Sequence, residues 1–259
     1  MCTNGGMVSM KRIPNIALTG ETVKQITTTS QFNKGGEAII CLSERPDTLY
    51  KIFINPSTGE IIEMSDNKLK KITSLFEMNP EYSVKPLSTI TMDGRLIGYE
   101  MSYNRENRPL SVAKLDRTST IEVLKRTKVA LEHFASHDIV YGDIASRNIL
   151  IDRNRQIEFC DMDNVQIKDL PIDLQGKDLR RFTRAYGKTD EKADAYMHNL
   201  FTLQQLKYPT PNPTYEDIIT ALTEGPYPSN FKRGAIRVFD SMLDPKKFTG
   251  EYAVKYLKR

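Results

Sequence analysis

Cysteine is scarce: Cys2, Cys41 and Cys160 are the only three, scattered along the chain and odd in number. No disulfide framework follows from them and no two share metal-ligand spacing, which argues against a zinc site and fits a reducing compartment. Long apolar runs are absent as well. Nothing approaches the ~18 consecutive apolar residues of a membrane span, and the opening MCTNGGMVSMKRIP lacks the apolar core of a secretory signal. A cytoplasmic protein without a membrane partner is therefore expected. Internal repeats and low-complexity segments are also missing, so solenoids and linker-like chains are set aside. Neither charge dominates: 37 Lys and Arg against 33 Asp and Glu leave a net charge of +4. That excess is compatible with a phosphate-bearing ligand and too small to indicate nucleic acid.

What is present is an ordinary globular composition, 39% hydrophobic and 27% charged over 259 residues. It is long enough for one large domain or two small lobes with a shared cleft. Residues 1–19 read as a loose lead-in. From Glu21 the pattern reads as β: TVKQITTTS, QFNKGGEAIICLS and DTLYKIFIN are rich in β-branched and aromatic residues and broken by turn residues. Gly35 and Gly36 read either as a plain hairpin turn or as a bare loop whose N–H groups approach a phosphate. Lys51 follows on the next strand among Leu49, Tyr50, Ile52 and Phe53, where its ammonium could reach such a phosphate. Apolar residues at helical spacing over 59–78 predict a helix that Asn79-Pro80 stops. Two more strands are expected at Tyr82–Thr91 and Arg95–Tyr103, turning at Met92-Asp93-Gly94. The first half thus contains about five strands and one helix. NRENRP at 104–109 then reads as a linker.

The second half is predicted to be mostly helical. An amphipathic helix spans Thr118–His137, with Thr118, Ser119 or Thr120 as N-cap. Further helices are expected at Asp194–Leu206, Thr214–Leu222, Gly234–Leu243 and Thr249–Leu257. Arg180, Arg181 and Arg184 form a basic cluster, either a solvated face or a platform for an anionic substrate.

The stretch with the densest chemistry is Asp138–Ile167. Asp143 follows the apolar run Ile139-Val140-Tyr141-Gly142, Asn148 comes five residues later, Ile149-Leu150-Ile151 reads as a strand, and a second apolar run ends at Asp161. Asp and Asn are turn formers, which accounts for Asp152 and Asn154. It does not account for Asp143 and Asp161, each placed directly after apolar strand residues. A carboxylate there is costly unless a cation or a partner meets it. Two carboxylates and a carboxamide suit Mg²⁺, which takes few protein oxygens and shares its other positions with water and phosphate. Asp143 remains to accept a proton from an attacking hydroxyl.

In order along the chain, a Gly-containing hairpin, a strand lysine, a helix, two strands, a linker, G-D-x-x-x-x-N and a further Asp resemble the protein-kinase-like fold over roughly residues 20–259. The resemblance is closest to bacterial and phage atypical kinases that carry D-x-D in place of D-F-G, here Asp161-Met162-Asp163 followed by Asn164-Val165-Gln166. It implies an α+β, bilobal protein: a lead-in at 1–19, an N-lobe at 20–103 with an antiparallel sheet and one helix, and a mostly helical C-lobe at 104–259. It further implies an ATP-dependent phosphotransferase using Mg²⁺ or Mn²⁺ and acting on a protein substrate. Gly35 and Gly36 would lie over the phosphates, and Lys51 would orient them. The backbone of Glu100, Met101 and Ser102 would hold adenine. Asp143 would be the catalytic base, Asn148 and Asp161 the metal ligands, and Asp194 the cap of the helix supporting the catalytic loop. Asp163 would be either a third metal-facing carboxylate or a polar hairpin residue. The lysine's helix partner would be Glu63, ahead of Glu60 and Glu77, although counting from Lys51 arrives nearer Lys70-Lys71.

The departures bear on the acceptor. Tyr141-Gly142-Asp143 stands for H-R-D, so the arginine that meets a phosphorylated activation loop is absent, and no A-P-E follows. Gly142-Asp143 is similar to the H-G-D of small-molecule kinases, whereas Asp143–Asn148 (DIASRN) is similar to the D-L-A-A-R-N of tyrosine kinases. A Ser/Thr or Tyr protein kinase is expected, with a small-molecule kinase and a nucleotide-binding pseudokinase as the alternatives.

Overall fold

The computed structural model describes residues 12–172, 179–180, 183, 188–206 and 250–256. The chain is an α+β protein that divides into two compact units, the first formed by 1–79 and 84–105, the second by 80–83 and 106–259. The expected boundary at 103/104 thus falls two residues later, and a four-residue piece after the first unit's second helix joins the second unit.

The first unit begins with β1 (Asn15–Leu18) and α1 (Gly20–Thr29), so the part of the lead-in that is described is not loose. The expected strand TVKQITTTS is a helix. Thr19 caps it by accepting from the N–H of Thr22, and Val23 and Ile26 turn to the core. The threonines on its outer turns bond back to carbonyls one turn earlier, Thr27 to Val23, Thr28 to Lys24 and Thr29 to Gln25. Those bonds satisfy the hydroxyls, while the Thr19 cap and burial of Val23 and Ile26 hold the β-branched run helical despite its strand preference. Then come β2 (Gln31–Lys34), β3 (Ala38–Leu42), β4 (Thr48–Phe53), α2 (Asp66–Met78), β5 (Pro86–Met92) and β6 (Arg95–Ser102). The sheet has six strands in the order β1-β5-β6-β4-β3-β2. It is mixed rather than antiparallel, because β1 pairs parallel with β5. Two helices accompany it, not one. Helix α2 starts at the Ser65 cap rather than near residue 59 and ends, as expected, on Asn79 in the left-handed conformation. The core is built from Val23, Ile26, Ile39, Cys41, Tyr50, Ile52, Ile90 and Ile97 on one side and Phe53, Met64, Ile72 and Tyr99 on the other.

In the second unit, β7 (Arg108–Pro109) leads through a 3₁₀ turn at Leu110–Val112 to α3 (Arg117–Ala135). The cap of α3 is Asp116, which accepts from the N–H of Ser119, not one of the three hydroxyl residues behind it. Short strands follow: β8 (Ile139–Val140), β9 (Ile149–Ile151), β10 (Ile157–Phe159) and β11 (Gln166–Ile167). They form the three-stranded β10-β9-β7 and two-stranded β11-β8 sheets. Between β10 and β11, Met162–Asn164 is a 3₁₀ turn. Helix α4 spans Glu191–Gln205 and is capped by Asp190. Asn199 of α4 bonds both the carbonyl of Glu251 and the N–H of Ala253, tying down the 3₁₀ turn Ala253–Tyr256. That turn is what is described of the expected helix Thr249–Leu257. The helices expected at Thr214–Leu222 and Gly234–Leu243, and Arg181 and Arg184 of the basic cluster, lie outside the described residues, while Arg180 is exposed. Among the described residues no helix is long and apolar enough to cross a membrane.

Candidate functional site

In the first unit, Lys51 stands on β4, buried, with Nζ 5.8 Å from the ring centre of Phe53 and 6.0 Å from that of Tyr99. Phe53 shares its face by the two-residue period of a strand, and Tyr99 is its cross-strand partner on β6. Gly98, next to Tyr99, lets the strands approach: a Cβ there would overlap the carbonyl oxygen of Lys51. Gly35 donates its N–H to the carbonyl of Ala38, closing the β2–β3 turn. Neither Gly35 nor Gly36 has a positive φ, and a Cβ on Gly36 would meet nothing within 4 Å. The fold itself therefore does not demand glycine at 36.

The expected helix partner of Lys51 is differently placed. Glu63 is exposed and precedes the Ser65 cap, outside α2. The acidic residues within α2, Asp66 and Glu77, are both exposed, and its buried positions are Lys71, Ile72 and Leu75. Lys68 lies 3.6 Å from Glu37 and 5.0 Å from the ring centre of Phe53. A lysine, not a glutamate, occupies the buried face of this helix.

Glu100 is fully buried on β6, and its carboxylate accepts from Ser43, Thr48 and Ser88 and pairs with Arg45 at 3.1 Å. Of its neighbours, Ser102 donates its N–H to the carbonyl of Lys85 and accepts from the N–H of Lys85 through Oγ. Glu100 is thus a strand-bracing carboxylate as well as one of the three residues expected to offer backbone groups to adenine.

In the second unit, the chain leaves β8 into a loop held from below by α4. Asp194 in the first turn of α4 accepts from the N–H groups of Tyr141 and Gly142, both at 2.7 Å. Asp190 caps the helix; Asp194 fastens the loop to it. Burial pushes the Asp194 carboxyl up to about 7, against the lowering effect of these two bonds. Gly142 is at φ +74°, where a Cβ would also run into Ile172.

Asp143 projects from this anchored loop with its side chain 46% exposed. Its Oδ2 accepts from Asn148 Nδ2 at 2.8 Å and pairs with Arg147 at 3.1 Å. The same Nδ2 also donates to the backbone carbonyl of Asp143, so the amide's oxygen is the atom left for a cation. The carbonyl of Asn148 accepts from the N–H of Cys160, and the carbonyl of Cys160 accepts from the hydroxyl of Tyr141 at 2.6 Å. Asp161 comes next, exposed and left-handed at φ 57°, ψ 35°. Asp163 is buried two residues on. Burial raises the Tyr141 hydroxyl well above its ordinary range, so it remains a proton donor.

The structure therefore joins Asp143 to Asn148 through their side chains, and ties Asn148 to Cys160, the residue before Asp161, through the backbone. Arg147 and Tyr141 had not been assigned a part in it. The four-residue step from Asp143 to Arg147 is the spacing that could have pointed to their ion pair. Among the described residues no group of three or more His, Cys, Asp or Glu side chains is placed to hold a metal ion. The cavities described in this unit, about 370 and 220 Å³, are lined by none of these residues.

No model of a known protein family matches the chain, and no curated protein matches it significantly.

Proposed function

We propose that the protein is an ATP-dependent phosphotransferase of the bilobal, protein-kinase-like kind, transferring a phosphoryl group to a hydroxyl, with a protein Ser, Thr or Tyr as acceptor. The observation that carries this reading is the half-exposed Asp143 carboxylate, fixed by Asn148 at 2.8 Å in a loop that Asp194 anchors through two backbone N–H groups. A carboxylate so held is available to orient a hydroxyl and take its proton. Asn148 and Asp161 offer oxygens suited to Mg²⁺ or Mn²⁺, with Asp163 as a further carboxylate. The metal, when bound, neutralises charge on the phosphates. In the first unit, Lys51 is a buried cation of the kind that orients nucleotide phosphates. Gly36, which the fold does not itself require to be glycine, leaves a bare turn for their approach. Free thiols at Cys41 and Cys160 suit a reducing compartment, the cytoplasm.

A low-molecular-weight acceptor is the second reading, favoured by glycine immediately before Asp143. The test is incubation with γ-labelled ATP and Mg²⁺ or Mn²⁺, offering protein acceptors and, separately, a metabolite extract. Label is expected on protein and is expected to fall by at least about a hundredfold in Asp143→Ala, as for loss of a general base. Label only on small molecules selects the second reading, and no transfer from wild type to any acceptor overturns both.

A further inference from the structure

We propose that Tyr141 is a positioning residue for the metal-holding segment: by donating to the carbonyl of Cys160, its hydroxyl sets the direction in which Asp161 presents its carboxylate. The inference rests on the phosphotransferase reading, in which Asp161 holds the metal.

The carbonyl of Cys160 belongs to the peptide that enters Asp161. A peptide is planar, so fixing its oxygen also fixes the plane from which the Asp161 backbone departs. The Tyr141 hydroxyl fixes that oxygen at 2.6 Å. On the far side, Asp161 sits in the narrow left-handed well at φ 57°, ψ 35°, and its own carbonyl accepts from the N–H of Asn164 at 3.2 Å. With the entering plane held and φ confined, the Cα–Cβ bond of Asp161 has one direction.

Tyr141 can act as a fixed strut because nothing around it is loose. Its ring meets Phe159 edge-on at 4.6 Å and stacks with Phe134 at 6.4 Å, and its N–H is bound to Asp194. Packing alone would be met equally well by phenylalanine, so the hydroxyl has a separate part. That part also reaches Asn148, because Cys160 donates its N–H to the Asn148 carbonyl at 3.0 Å. One backbone residue therefore adjoins the main chain of both residues proposed to hold the metal, and Tyr141 braces it from behind.

The test is Mn²⁺ titration of the full chain saturated with a non-hydrolysable ATP analogue, read by water-proton relaxation, for wild type, Tyr141→Phe and Phe134→Leu. Tyr141→Phe is expected to weaken Mn²⁺ binding by about tenfold or more, as when a group orienting a metal ligand is lost, and to leave metal-free affinity for the analogue unchanged. Phe134→Leu disturbs the same packing but keeps the hydroxyl, and is expected to stay near wild-type Mn²⁺ affinity. Wild-type Mn²⁺ affinity in Tyr141→Phe overturns the inference. Equal weakening in both variants overturns it too, because packing is then the cause. So does a Tyr141→Phe protein that fails to fold while Phe134→Leu folds, which makes the hydroxyl a structural bond only. If the wild type binds the analogue but shows no Mn²⁺ site, or binds neither, the phosphotransferase reading falls first and takes this inference with it.

Discussion

Gly98, inside β6, and Gly36, in the β2–β3 turn, are both glycines of the first unit, yet their surroundings differ sharply. A Cβ on Gly98 would overlap the backbone of Lys51, whereas one on Gly36 would meet nothing within 4 Å. Gly98→Ala is therefore expected to push β4 and β6 apart, destabilising the chain by about 1–3 kcal/mol as overpacking does and displacing Lys51. Gly36→Ala is expected to leave the urea midpoint within about 0.5 kcal/mol of wild type, as a surface change does. Its effect should fall on nucleotide affinity alone if the turn lies against phosphate. Urea unfolding and nucleotide titration of the two variants check both halves, and unchanged affinity in Gly36→Ala would count against the phosphate role of the turn. The sequence shows that both residues are glycine but does not distinguish them. What separates them is the register of β4 against β6, in which Gly98 pairs with Ile52, 46 positions away.

At the scale of elements, α4 carries two buried titratable groups one turn apart, and they act on stability in opposite directions. Burial raises Asp194 to about 7 and lowers His198 to about 4, while the His198 ring bonds the carbonyl of Leu124 at 3.0 Å. For Asp194 the folded state holds a proton that the unfolded chain has lost, so its contribution declines as pH rises from about 4 to 7. For His198 the unfolded chain takes up the proton first, so its contribution is full above about 6.5 and is lost as pH falls towards 4. The two largely offset each other in wild type. His198→Gln is expected to be least stable at pH 7 and to gain towards pH 4; Asp194→Asn is expected to do the reverse. Urea midpoints at pH 4, 5.5 and 7 check this, and parallel profiles for the two variants would contradict it. Helix α4 was legible to within three residues at its start because its apolar spacing is regular. Helix α1 was not, because its β-branched run favours a strand locally, and only the Thr19 cap and burial of Val23 and Ile26 reverse that preference. Helix α2 was read too long because Ile61 and Ile62 extend its periodicity into a segment where Ile61 bridges to Ile54 as β structure.

At the scale of the molecule, the order of the described elements was legible from β2 to β6, as were α3 and α4, while α1 and the mixed character of the first unit's sheet were not, since β1 lies in a stretch with no strong pattern. The bond between the Asp143 and Asn148 side chains lies within the stretch that the sequence singles out, whereas the one from Cys160 to the Asn148 carbonyl runs through backbone atoms, which no side-chain pattern reveals. Lys51 belongs to the first unit and Asn148 and Asp161 to the second, so the proposed nucleotide and metal roles can be removed separately. A ligand that binds only the folded chain at a hundred times its dissociation constant stabilises it by about 2.7 kcal/mol, several degrees in melting temperature at this size. ATP with Mg²⁺ is therefore expected to raise the melting temperature more than ATP with a chelator. Asp161→Ala should bring the two conditions together at the smaller shift, because the metal's contribution is gone and that of Lys51 remains. Lys51→Met should diminish the shift in both conditions, because the cation for the phosphates is lost with or without metal. Thermal unfolding of the three proteins in both conditions distinguishes these patterns. A Mg²⁺-dependent shift that survives in Asp161→Ala would remove Asp161 from the metal set, and wild-type shifts in both conditions for Lys51→Met would remove Lys51 from the phosphate set.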